Sequence, residues 1–177
     1  MSHKTPLPVD HRERVTSFLA LLSSDRSREF LARFIDPQHL AFELCRVWFD
    51  ELYVPGIAYF HGLKGDYSEV AARAFRDAFE NDELSALERF HRFFELRVDM
   101  LRNQAREAGR FPNTDLWRNL VKDAGYLLED LDPKPAELRR RLEEHFETFE
   151  QGEDLGRLLL GAAASGSTKH EGEGPDK

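Results

Sequence analysis

The sequence predicts an all-α protein, a compact bundle of six or seven helices built around a long central helix at about 82–109. Three observations carry this expectation. Apolar residues recur at intervals of three and four almost throughout the chain. No segment alternates β-branched and polar residues as a half-buried strand would. The connections between periodic stretches are short, which favours antiparallel neighbours.

Each helix has its own signal. Val15, Phe18, Leu19 and Leu22 form a first stripe, beginning near residues 8–10 and fading at Ser23 and Ser24. A short helix carrying Phe30, Leu31, Phe34 and Ile35 follows, with Ser24 or Asp25 placed to accept its first free N–H groups. Asp36-Pro37 marks the next start, since an N-cap carboxylate precedes a proline whose missing N–H costs nothing at the first helical position. That helix is expected from Pro37 to about Tyr53. Its apolar residues leave a narrow polar strip of Glu43, Arg46 and Asp50, with His39 in line with it.

Pro55 and Gly56 read as its stop, and the glycine-rich stretch to Gly65 reads as a connector. A helix with the stripe Val70, Ala71, Ala74, Phe75 and Ala78 comes next. After the acidic start at Glu80–Glu83, which suits the positive end of a helix dipole, comes the most regular pattern in the chain. Leu84, Leu87, His91, Phe94, Val98, Leu101, Ala105 and Ala108 alternate steps of three and four, and Phe90, Phe93 and Met100 widen the apolar face into a second seam. Gly109 and Pro112 close it. Trp117, Leu120, Val121, Ala124, Leu128 and Leu131 mark a further helix capped near Asn113 or Thr114. Leu138, Leu142, His145, Phe146 and Phe149 mark the last long one.

The 177 residues suffice for one domain with a real core, assigned to 1–160. The small, polar, glycine-rich segment 161–177 offers too little apolar surface to offset its ordering entropy and is expected to be a disordered, flexible tail.

Composition narrows function. No apolar run approaches the roughly 18–20 residues of a membrane span, so no membrane partner is expected. The first residues lack the apolar core of a secretory signal, which makes the cytoplasm the expected location. A net charge of −8 argues against nucleic-acid binding, which draws its affinity from concentrated positive charge. Cys45 is the single cysteine, so disulfides within the chain and cysteine-based zinc clusters are excluded.

Several groups could carry chemistry. His91 sits in the main apolar stripe with Glu88 three residues before it and Glu95 four after, so both carboxylates can share its side of the helix. His145 lies on the apolar face of the last helix. Together His91, His145, Glu88 and Glu95 are a candidate metal set, and imidazole and carboxylate donors suit zinc or iron. A di-iron bundle needs a second Glu-x-x-His, which is missing. Haem binding by His61 and His91 is disfavoured because His91 lies in the first half of an unbroken helix. Arg102, Arg106 and Arg110 form a row that could hold an anion or an acidic partner, though cations also suit a helix C-terminus without any ligand.

Lys64 between Gly62 and Gly65 departs from a phosphate-binding loop, because no strand precedes it and no Ser or Thr follows it. No nucleophile–base set is assembled. The expected function is therefore that of a non-catalytic helical protein working through protein–protein contacts or self-association, without a cofactor. Contact surface is sought on the short helices at 27–35 and 153–160. The alternative is a His/Glu metal- or cofactor-binding bundle, with enzymatic activity left open.

Overall fold

A computed structural model describes residues 10–56, 66–108, 112 and 114–148, with the backbone alone for 66–68, 101–108 and 147–148. The chain forms α1 (His11–Ser23), α2 (Asp25–Leu31), α3 (Pro37–Val47), a π-helical turn (Trp48–Leu52), α4 (Asp66–Asp77), α5 (Asn81–Ala108), α6 (Asp115–Leu131) and α7 (Pro135–Thr148). There is no strand among the described residues. The all-α class and the long unbroken α5 are as the sequence predicts. The segment 161–177 and the short helix at 153–160 lie outside the described residues.

The helix starts follow capping chemistry. Asp10 accepts from the Glu13 N–H at 2.9 Å, Ser24 from Ser27 at 3.1 Å, and Thr114 from Trp117 at 3.2 Å. Asp36 accepts from Gln38 at 2.9 Å ahead of Pro37. Before α5, Glu83 reaches back to the Glu80 N–H at 2.8 Å, the reciprocal half of a capping box.

Three expectations are corrected. The bundle centre is α1, where eight consecutive residues from Val15 to Leu22 are buried. This helix packs against α2, α4, α6, α7 and the π-helical turn. Thr16 is tolerated in this buried run because its hydroxyl donates to the carbonyls of Arg12 and Glu13 within the same helix.

The second correction concerns α3. It keeps α-helical bonding only to Val47; then the ring widens, and the Tyr53 N–H reaches the Trp48 carbonyl five residues back at 3.0 Å. The run from Pro37 ends at the non-helical Tyr53, and residues 54–56 make a separate helical turn that contains Pro55 and Gly56. Third, α4 buries Ala72 and Phe75, continued by Phe79 just beyond its end, while Val70 is 65% exposed. Phe75 and Phe79 are in ring contact, 5.1 Å apart, and such bulky rings outweigh a run of small residues in setting which face turns inward.

One connected core results, centred on Phe18, Trp48, Phe75, Phe94 and the leucines of α1. Arg12 ties its rim together. The guanidinium grips Glu83 through two bonds of 2.8 and 2.6 Å, donates to the Leu131 carbonyl at 2.8 Å and the Ala78 carbonyl at 3.2 Å, and lies over the Phe79 ring. A single side chain thus joins the start of α1 to the α4–α5 junction and the end of α6.

Candidate functional site

His91 points into the core, as its place in the α5 stripe predicts, and is 7% exposed. Its surroundings are aromatic. The imidazole stacks on Tyr53 with ring centres 4.1 Å apart and meets the edge of Phe49 at 5.5 Å. Trp48 Nε1 donates to His91 Nδ1 at 3.2 Å. An indole N–H can only donate, so Nδ1 must carry a lone pair and the neutral ring must hold its proton on Nε2. The Nε2 side faces Gly56, where a Cβ would stand 3.0 Å from His91 Cε1 and 3.2 Å from Nε2. Glycine is needed here for close approach.

This arrangement bears directly on the metal reading. A metal at Nε2 would force the proton onto Nδ1 and so break the bond from Trp48; a metal at Nδ1 would displace the indole. Neither nitrogen offers a spare lone pair. Glu88 is exposed and pairs with Arg92 at 2.6 Å, and Glu95 is only half-buried. His145 lies elsewhere, half-buried in the wall of a cavity between α1 and α7. The structure does not draw the four predicted ligands together, and among the described residues no three His, Cys, Asp or Glu side chains form a cluster able to hold a metal.

Burial holds the His91 pKa at about 4 against an ordinary 6.5, opposed by the Glu88 carboxylate and assisted by Arg92. The unfolded chain therefore binds a proton at a higher pH than the folded one. The stability that neutral His91 contributes is complete above pH 6.5 and drains away as the pH falls from 6.5 towards 4, by about 1.4 kcal/mol per pH unit and on the order of 3 kcal/mol in all. Urea unfolding at pH 7.5 and pH 5 is expected to show this loss. In His91→Gln, whose amide oxygen still accepts from Trp48 without titrating, the same acid interval is expected to cost clearly less.

Cys45 is buried, and burial pushes its thiol up to about 12, so it is a packing residue and not a nucleophile. The side chains of Arg102 and Arg106, and all of Arg110, lie outside the described residues, as does the connector at 57–65. His39 and Arg46 are exposed and Glu43 half-buried, in keeping with a solvated strip in which Arg46 bridges Glu43 at 3.0 Å and Glu51 at 2.7 Å.

Among the described residues, four of the seven large exposed apolar side chains lie on α5 and α6. Phe93 is 49% exposed, Leu96 55%, Met100 47% and, on α6, Tyr126 55%. The first three follow one another at steps of three and four along a single face of α5. Phe93 and Tyr126 flank a shallow groove of about 200 Å³ floored by Phe90 and Leu127. On α2, by contrast, Leu31 is buried and Phe30 stacks on Phe146 of α7 at 4.3 Å, which leaves Phe34 as the exposed ring of the 27–35 segment. The periodicity of α5 contains the second seam; what it lacks is any sign that no other helix among the described residues covers that seam.

No protein-family model matches this chain, and neither the curated proteins nor the solved structures contain a match to it. No helix among the described residues is long and apolar enough to cross a membrane.

Proposed function

We propose that this protein is a non-catalytic helical protein of the cytoplasm that works by self-association, with the α5–α6 face as the contact between two copies. The observation that carries the reading is the exposed stripe of Phe93, Leu96 and Met100 beside Tyr126. Aromatic and methionine side chains on an exposed patch are the usual core of a protein contact.

Charge favours a second copy as the occupant. A molecule of net charge −8 repels its own kind over most of its surface. Around the groove, however, Arg89, Arg97 and Lys122 stand against Asp123 and Asp130, so the face carries no acidic excess. Arg97 pairs with Asp123 and lies over Phe93, and Lys122 lies over Tyr126, which already neutralises and orders the rim. Two such faces can meet without uncompensated charge.

Size-exclusion chromatography with light scattering tests this. The purified protein is expected to run as a dimer at micromolar concentration, and Phe93→Asp to weaken association by at least about tenfold while leaving the helical circular dichroism intact. A wild-type chain that stays monomeric up to high concentration would sink the reading.

A further inference from the structure

A second hollow lies apart from the α5–α6 face. It is a cavity of about 320 Å³ between α1 and α7, lined by Glu13, Ser17 and Ala20 on one side and by Leu138, Arg141, Leu142, Glu144 and His145 on the other. The volume falls within the range of small-molecule sites, at the low end.

Its floor is apolar. Ala20, Leu138 and Leu142 are all buried. Ser17, one helical turn from Glu13, also lines the cavity and is 4% exposed. A hydroxyl in the wall of the cavity can donate to a ligand held there. At the mouth, Glu13 and Arg141 are both exposed, carry opposite charges, and form no ion pair among the described residues. Their neighbour Glu144 is already engaged by Arg140.

We propose that this cavity binds a free α-amino acid with an apolar side chain. The chemistry fits group by group. A carboxylate complements the Arg141 guanidinium, an ammonium complements Glu13, and both charges sit on one end of the same small molecule. The side chain occupies the floor made by Ala20, Leu138 and Leu142, where it leaves water. Ser17 donates to the ligand carboxylate. A peptide does not match, because its ammonium and carboxylate lie at opposite ends.

Calorimetric titration together with amide shift mapping tests the proposal, with leucine, N-acetyl-leucine and leucinamide as probes. Leucine is expected to bind saturably and to shift amides of α1 and α7 around Ser17 and Leu142, while each blocked derivative binds at least about tenfold more weakly. Arg141→Ala is expected to abolish discrimination against leucinamide, and Glu13→Gln discrimination against N-acetyl-leucine. Both positions are exposed, so the fold should be unchanged, which circular dichroism checks. The proposal is overturned if leucine shows no saturable binding by about 10 mM, if the three probes bind alike, or if the shifted amides lie outside α1 and α7.

Discussion

Trp48→Ala is expected to cost about 4 kcal/mol of stability, enough to leave a domain of this size close to unfolded. Trp48 is fully buried and among the largest such side chains in the core. Its indole lies 5.6 Å from Phe18, 5.7 Å from Tyr53, 5.1 Å from Phe90 and 6.1 Å from Phe94, so it joins α1, the π-helical turn and α5. Alanine there opens a cavity that neighbours on three elements cannot all relax to fill. It also removes the N–H that satisfies His91.

Trp48→Phe separates the two effects. Ring burial is largely kept while His91 Nδ1 loses its donor, and the expected cost is about 1–2 kcal/mol. Urea unfolding followed by circular dichroism reads both variants. A loss of under about 1 kcal/mol in Trp48→Ala would show that the aromatic cluster is not the centre of the core.

Arg12→Ala is the second large effect, expected at about 2 kcal/mol. An ordinary surface ion pair would not justify that figure, since exposed pairs contribute about 0–1 kcal/mol. Arg12 differs in geometry. Its two-pronged grip on Glu83 is joined by bonds to the carbonyls of Leu131 and Ala78, so one truncation strands acceptors on two other segments. Lysine keeps the charge but cannot form the fork, and Arg12→Lys should recover less than half of the loss.

Acid should mimic the deletion. The hydrogen bond from Arg12 is the main cause that holds the Glu83 carboxyl below its usual 4.5, aided by the Glu80 N–H and offset by partial burial. Its contribution is present above that value and lost as the pH drops below it. A double-mutant cycle with Glu83→Ala measures the coupling directly. Additive losses in that cycle would mean that the clasp contributes nothing as a unit.

What the sequence discloses here is local. Asp36-Pro37, Ser24 and Thr114 announce their helices because capping needs only a side-chain oxygen two or three residues from the N–H it accepts. The inward turn of His91 follows from the α5 stripe for the same reason. Its bond from Trp48 does not, because the widened turn at Trp48–Leu52 changes the phase of the residues after it. Arg12 gave no signal, as its partners lie 66, 71 and 119 residues away. The centrality of α1 was hidden by Thr16 and Ser17, which interrupt its apolar stripe although both are buried. The exposure of the α5–α6 face depends on where the other described helices pack, and no pattern within one helix records that.

The position of α1 has a consequence for biosynthesis. During translation this helix emerges well before α6 and α7, two of the helices that enclose it, and the bond from Arg12 to Leu131 spans 119 residues. Until then α2, the π-helical turn and α4 can cover only part of its oily surface. Such long-range closure should make refolding slower than is usual for a helical protein of this length.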